Sequence, residues 1–378
     1  MTTSPFESEP YSVQQDTESS SQQTITPPPL PFTTRQVSRF RFFGTASEYF
    51  GIWFVNLLLT IVTLTLYSPW AKVRRLRYFY SHTELENARF DFTGEARAIF
   101  LGRLIAVALY FAMQSGNLFK SMHLQWLSGI SILLLYLAIP YLLRATYRFM
   151  SRNSIYRNAR FYFSGSLGQA FLVYLGIGIL TALSLGLLIP YYIYRHKKYQ
   201  FNNLQIGQVK FQCDITARDF YKALWPLILL TILFFIFISV LIAFMIVAGG
   251  KNQGFAHLFA ALGLAYFAIF FLFGFIAWYT SARIYQLTWS KLRVGNSVFA
   301  TDLRARRYIW IAFSNFIVKA LSFGLMAPWA AIRMYRYKIE SLSITWQDDP
   351  NELLTSAQVD ISAFGEELSD LIGIDLSL

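Results

Sequence analysis

Two short patterns recur along this chain at one fixed separation, and they limit its folds more than any other feature. The first is Phe-x-Phe-x-Gly, at Phe40/Phe42/Gly44, Phe90/Phe92/Gly94 and Phe161/Phe163/Gly165, with degenerate copies at Phe211/Cys213 and Phe299/Thr301. The second is a Pro-aromatic pair leading into a basic stretch. It reads Pro69-Trp70 with Arg74 and Arg77, Pro140-Tyr141 with Arg144 and Arg148, Pro190-Tyr191 with Arg195 and Lys198, and Pro328-Trp329 with Arg333 and Arg336. A further copy has lost its proline and reads Trp278-Tyr279 with Arg283. Four times the second pattern leads to the next Phe after 21 residues: Pro69 to Phe90, Pro140 to Phe161, Pro190 to Phe211, Trp278 to Phe299. Asn87, Asn158, Gln208 and Asn296 sit at position 18 of these linkers. A spacing held this strictly predicts an internal repeat.

The recurring segments alternate in length. From the Gly position to the Pro position there are 25 residues in the first, third and fifth copies, 46 in the second and 63 in the fourth. A membrane-spanning helix takes about 20 apolar residues. The long copies therefore hold two spans each, 97–115 with 127–147 and 221–248 with 256–281, and the short copies hold one apolar stretch each, 47–68, 168–189 and 306–327. Within the linkers, Phe at period two ending on Gly is strand chemistry, so each copy is expected to donate one strand to a small cytoplasmic sheet. The expected fold is an α-helical multi-pass membrane protein of five tandem repeat units, short-long-short-long-short, with short β-strands on the cytoplasmic face.

Composition agrees with a membrane protein. The chain is 55% hydrophobic, 18% aromatic and 14% charged, against about 25% charged for an average soluble domain. One cysteine, Cys213, excludes an intramolecular disulfide framework and a cysteine metal cluster. Three segments differ in character. Residues 1–37 are rich in Ser, Thr, Gln and Pro and read as a disordered tail, with no signal-peptide pattern. Residues 38–341 form the membrane domain, and residues 342–378 an acidic cytoplasmic tail with weak amphipathic helices. The tails hold twelve of the 21 acids and one of the 33 bases, so the core keeps nine acids and 32 bases, a net of +23. If every short stretch crossed the bilayer there would be seven full spans, and basic linkers would fall on both sides, against the positive-inside rule. If each dips in and returns there are four, all five linkers share the cytoplasmic side, and only the far tips with Lys120 and Lys251 face out. The charge asymmetry favours the second arrangement, with both tails cytoplasmic. Re-entrant backbone needs protein or water around it, and Gly176, Gly178, Gly186, Asn56 and Asn315 mark plausible breaks.

Chemistry-bearing motifs are sparse. The four histidines, His82, His123, His196 and His257, form no metal-binding spacing, and no phosphate-binding loop, dinucleotide fingerprint or nucleophile elbow is present. No catalytic residue, metal or cofactor is called for, and enzyme activity is not the expected reading. The basic positions are the strongest constellation: Arg74, Arg77, Arg144, Arg148, Arg195, Lys198, Arg283, Arg333 and Arg336. They suit anionic lipid head groups with Trp70 and Trp329 in an aromatic belt, or convergence on one anionic ligand. Lys319 lies mid-way in the last short segment and is expected to be a buried functional cation. Arg103 is expected to snorkel to the near interface. Pro69, Trp70, Pro140, Pro190, Pro328 and Trp329 carry the structural motif.

The run from Phe42 to Gly94, with its Pro-Trp pair and closing Phe-x-Phe-x-Gly, resembles the YjgN-type bacterial inner-membrane family, a domain of unknown function. The resemblance covers about 38–345 and implies a multi-pass protein of the bacterial inner membrane; it supplies no activity. The functional expectation is a transporter or channel-like protein for an anionic or amphipathic small molecule or lipid. The alternative is a non-catalytic scaffold binding anionic lipid or a protein partner. The expected partners are membrane lipids, with self-association left open and no nucleic acid.

Overall fold

The computed structural model of the chain describes residues 36–119, 122–248 and 255–347. Lys120, Lys251 and most of both expected tails lie outside the described residues.

Four of the five linkers fold into two strands. β3 (Thr83–Leu85) and β4 (Ala88–Phe92) form a hairpin, as do β5 (Ser154–Tyr156) with β6 (Ala159–Phe163), β7 (Leu204–Ile206) with β8 (Val209–Cys213), and β9 (Leu292–Val294) with β10 (Ser297–Thr301). The loops are two residues long and turn through positive φ at Glu86 and Asn87, at Arg157 and Asn158, and at Gly207 and Gly295. Tight hairpins favour such turns because their twist matches that of the flanking strands, and Asn and Gly tolerate them best. A fifth hairpin is made from the two ends of the described chain. β11 (Leu342–Trp346) pairs with β1 (Gln36–Arg39), while β2 (Arg41–Phe42), one residue further on, pairs with β3. The result is one eleven-stranded antiparallel sheet, in the order β1-β11-β10-β9-β8-β7-β6-β5-β4-β3-β2. Since only Phe40 separates β1 from β2, the sheet comes round on itself as a near-barrel.

The helices leave this sheet in pairs and return to it. α1 (Ala46–Val62) and α2 (Ser68–Ser81) form the first pair. α3 (Ala96–Phe119) and α4 (Met122–Arg152) form the second. The third runs through α5 (Leu167–Phe171), a π-helical turn (Leu172–Gly176) and α6 (Ile177–Leu183), and comes back along α7 (Ile189–Asn202). α8 (Ala217–Ala248) with α9 (Phe255–Trp289), and α10 (Ala305–Leu321) with α11 (Ala327–Glu340), complete the set. Each pair packs on the next, α2 on α3, α4 on α5, α7 on α8 and α9 on α10, and α11 closes the circle against α1. Among the described residues three helical stretches, Ser128–Arg152, Ala217–Ala243 and Gly263–Trp289, are long and apolar enough to cross a membrane.

This overturns the expected fold class. The molecule is not an α-helical array of five tandem units with a strand apiece but a mixed fold, in which an eleven-stranded sheet organises helix pairs of unequal length. The physical reason is edge satisfaction. A lone strand per linker would leave unpaired N–H and C=O groups, whereas hairpins whose outer edges pair round an axis leave none. The sheet also reaches past both expected domain boundaries, taking in Gln36–Arg39 and Leu342–Trp346.

The Phe-x-Phe-x-Gly pattern has a packing cause. A Cβ on Gly44, Gly94 or Gly165 would lie 2.5, 2.6 or 2.5 Å from the ring of Phe42, Phe92 or Phe163. The second Phe folds back over the Gly, and only hydrogen leaves room for it.

Candidate functional site

The first Phe of each copy points to the axis of the sheet. Phe40 stacks on Phe90 at 6.1 Å and on Phe299 at 6.4 Å between ring centroids, Phe299 on Phe211 at 6.2 Å, and Phe211 lies 6.2 Å from Phe161. Leu85, Ile206, Val294, Ile344 and Trp346 fill the lumen around them. The near-barrel is thus plugged by side chains and is not a pore.

Against this aromatic layer lies a cavity of about 490 Å³. Its wall takes the eleventh residue after each Pro or Trp of the second pattern: Tyr80, Ser151, Phe201, Trp289 and Ile339. Thr83, Ser154, Leu204 and Leu342 from the strands, and Thr146, Tyr147, Met150, Gln200 and Tyr335 from the helices, complete most of it. No lysine, arginine or carboxylate lines it. Its polar groups are hydroxyls, the Gln200 amide and the Trp289 indole, and several of them already hold hydrogen bonds. Thr83 Oγ1 is 3.0 Å from Tyr335 OH, Ser154 Oγ donates to Tyr80 OH at 3.3 Å, and Lys197 Nζ donates to Gln200 Oε1 at 3.0 Å from outside the wall. Burial pushes the Tyr335 phenol up to about 12, so it stays a neutral donor. Behind Tyr147, His196 Nε2 sits 3.3 Å from its hydroxyl, and burial beside the Lys197 charge holds that imidazole near 4, neutral. A cavity of this kind suits an apolar body with few polar atoms.

The expected cation cluster is distributed round the circle. Several of its members tie one helix pair to the next. Arg77 donates to the Gly94 carbonyl at 3.2 Å, Arg144 to that of Gly165 at 2.7 Å, and Arg336 to that of Gly44 at 2.8 Å. Gln286 does the same to Leu303 at 2.6 Å. Arg333 donates to Ser314 Oγ at 2.7 Å and Asn315 Oδ1 at 3.2 Å and covers the Trp329 ring. Arg283 holds Gln286 Oε1 at 2.9 Å, with its Nε buried and unpartnered. Lys198 donates to Tyr194 OH at 3.3 Å, Arg195 is half-buried on α7, and Arg148 is exposed on α4. Arg103 is exposed and bonds the Ser68 hydroxyl at the start of α2. Lys319 is exposed in the last turn of α10, where it complements the helix C-terminus, and is not a buried cation. Pro69, Pro190 and Pro328 open α2, α7 and α11, whereas Pro140 lies inside α4; all four are fully buried.

The axial cavity itself escaped sequence reading. Its signal was the register of position 11 after each Pro or Trp, which mixes Tyr, Ser, Phe, Trp and Ile and so carries no residue-type signature.

The chain matches the model of a family described as bacterial protein of unknown function (DUF898) over residues 37–371. It is similar to inner membrane protein YjgN of Escherichia coli (strain K12), 31% identical over 147 residues. It is also similar to that of Escherichia coli O157:H7, 30% identical over 147 residues. Each of these two alignments covers 39% of this chain and 36% of the relative, so the matched part spans about a third of the curated relatives' length. The YjgN of Salmonella typhimurium is 38% identical over 74 residues, 20% of this chain and 19% of that protein. No solved structure matches the chain.

Proposed function

The chain belongs to the DUF898 family of bacterial proteins, and we propose that it is a multi-pass inner-membrane protein that binds and passes on an amphipathic membrane molecule, whose apolar part enters the axial cavity. The observation that carries this reading is the cavity itself: about 490 Å³, walled by one residue from each of the five recurring helix segments, and rimmed by hydroxyls without a charge. A recurring motif that gathers one wall residue per copy supports an internal repeat built round one binding place. The sheet's aromatic plug speaks against an aqueous conduit. So does the helix arrangement: among the described residues, α3 packs on α4 and α8 on α9, but no substantial packing joins the two long pairs. Beyond the reach of the shorter pairs, the axis is bounded by lipid-facing helices whose apolar side chains, such as Leu133, Tyr136, Phe237 and Phe267, are exposed. An amphiphile can reach the axis laterally from the bilayer, and a water-soluble ion has no walled path. Every helix pair begins and ends at the sheet, which supports the arrangement with all basic linkers on one side of the membrane.

The test fills the cavity. Ser151 is buried in its wall, and Ser151→Trp adds an indole there. Native mass spectrometry of the purified protein is expected to find a co-purifying lipid or fatty-acid-like adduct on the wild type and at least about a ten-fold lower occupancy on the variant, a loss of roughly 1.4 kcal/mol of binding. Liposomes carrying the wild type are expected to move a fluorescent amphiphile between leaflets faster than those carrying the variant. Equal occupancy and equal rates would remove the axial cavity from function.

A further inference from the structure

A second cavity, of about 450 Å³, lies away from the axis, where α2 meets the start of α3. It is lined by Tyr67, Trp70, Val73, Arg74, Arg77, Glu95, Ala96 and Arg97. Three guanidinium groups face one carboxylate, Glu95. Among the described residues none of the three arginines forms an ion pair. Arg97 stands in the first turn of α3, a helix of 24 residues, whose N-terminus adds its own positive end. Arg103, one to two turns further along α3, bonds Ser68 and brings a fourth cation to the same corner.

The last copy of the motif shows what Arg74 is not doing. Arg74 and Arg333 each follow their proline by five residues, and Asn56 and Asn315 each precede it by 13. In the last copy Arg333 turns inward and donates to Asn315 Oδ1 at 3.2 Å and Ser314 Oγ at 2.7 Å. In the first copy Asn56 Oδ1 is buried without a hydrogen-bond partner. Arg74 has instead turned outward to the cavity, where among the described residues its one hydrogen bond is a 3.5 Å contact to Tyr67 OH. The inward arrangement is thus left unmade in the one copy where the outward one meets two further arginines. Arg77 reaches the cavity while its Nη2 holds the Gly94 carbonyl, which fixes it in place. Tyr67 and Trp70 stack at 6.1 Å across one wall, amphipathic rings of the sort that sit at head-group depth.

We propose that this cavity binds a phosphate group of an anionic ligand, held in the forks of Arg74 and Arg97 and steadied by Arg77. Planar guanidinium donors match phosphate oxygens two at a time, and among the described residues Glu95 is the one carboxylate in the lining against three arginines. The site is separate from the axial cavity, with no lining residue in common, and does not depend on the function proposed for it.

The test uses the full chain in a neutral detergent and three probes: phosphatidylglycerol, sn-glycerol 3-phosphate and inorganic phosphate. Binding is read by native mass spectrometry for the wild type, for Arg74→Gln/Arg97→Gln and for Lys319→Gln, an exposed cation elsewhere. The double variant removes no strap between helix pairs, and its thermal midpoint reports that it stays folded. The expected result is one strongly bound phosphate compound on the wild type and on Lys319→Gln, and about ten-fold or more weaker binding on the double variant. Should that variant unfold, Arg74→Lys keeps the charge without the fork and is expected to weaken binding while leaving the midpoint unchanged. Binding of phosphatidylglycerol alone identifies a lipid head group as the source of the phosphate. Binding of the two water-soluble probes identifies a free phosphate compound. Equal binding to wild type and variants, or binding of no probe, overturns the site.

Discussion

His196 shows how one residue can be constrained by its surroundings without carrying the chemistry its type suggests. It is packed among Tyr147, Tyr174 and Tyr192, with Lys197 next in sequence and no carboxylate in contact. Burial and the Lys197 charge hold its folded-state pKa near 4, below the ordinary 6.5. The unfolded chain therefore binds a proton that the folded chain refuses between these values, and stability falls as pH drops from 6.5 towards 4. At pH 5 this amounts to about 2 kcal/mol. The thermal midpoint of the detergent-solubilised protein is expected to drop between pH 7.5 and pH 5 by less in His196→Gln than in the wild type, and an identical drop in both would show that the imidazole is not held neutral. The spacing of His196 in the sequence excluded a metal site but gave no sign of the tyrosines round it, which arrive from α4 and the π-helical turn. Arg77, Arg144 and Arg336 are legible as members of the recurring basic stretch, but their purpose is not. Each bonds a carbonyl that lies in the neighbouring copy, and a list of side chains contains no carbonyls.

The elements divide in the same way. The three short helix pairs turn at 63–67, 184–188 and 322–326, and in each the third residue's N–H returns to a carbonyl five residues earlier: Thr65 to Thr60, Gly186 to Thr181, Gly324 to Lys319. The turning residue has φ of +73° at Thr65 and +87° at both glycines. Two of the copies have the residue this conformation favours, and the first has a β-branched one that pays a steric cost in it. Thr65→Gly is expected to stabilise the protein by about 1 kcal/mol, read as a higher thermal midpoint, while Gly324→Thr lowers it. A midpoint that falls in Thr65→Gly would mean that the Thr65 side chain carries a contact outweighing the strain. Of the breaks expected from the sequence, only Gly186 falls in one of these turns; Asn56 and Asn315 lie inside α1 and α10, and Gly176 and Gly178 lie in the π-helical turn and α6. The three-residue strand that opens each of the four linker hairpins leaves no mark in the sequence, for a subtler reason. Asn recurs at position 18, and Asn87 and Asn158 hold a positive φ in their two-residue turns, but the recurrence alone does not disclose a turn, and strands of three residues such as Thr83–Leu85 are too short to show a period. The Phe-x-Phe strands β4 and β6, five residues long with a Gly two residues beyond, are legible because their pattern is internal to one segment.

At the scale of the whole molecule the decisive contacts join residues some 300 positions apart. β1 pairs with β11 from Gln36 opposite Trp346 to Arg39 opposite Ser343, and Phe40 continues the ladder to Leu342 at 3.2 Å. Trp346 Nε1 donates to Ser38 Oγ at 3.1 Å, Arg39 meets Asp302 at 3.3 Å, and Arg336 holds Gly44 while α11 packs on α1. The fifth linker supplies only one strand, so the Phe40/Phe42 segment that opens the first copy is also the missing half of the last. No Phe follows Pro328 after 21 residues, where Asp349 stands, because the completing strand is at the other end of the chain. Removing residues 1–42 would leave β11 and β3 with unpaired edges and withdraw Phe40 from the axial stack. Such open edges recruit other chains. The truncated protein is therefore expected to lose its monodisperse peak in gel filtration and to exchange the amide hydrogens of Leu342–Trp346 rapidly. A synthetic peptide of residues 36–44 is expected to restore both, because the gap is strand-shaped and its register is fixed by the Phe40 and Phe42 rings. A truncated chain that keeps its size and its amide protection without the peptide would show that the sheet does not need to close, and that the helix circle alone holds the ends together.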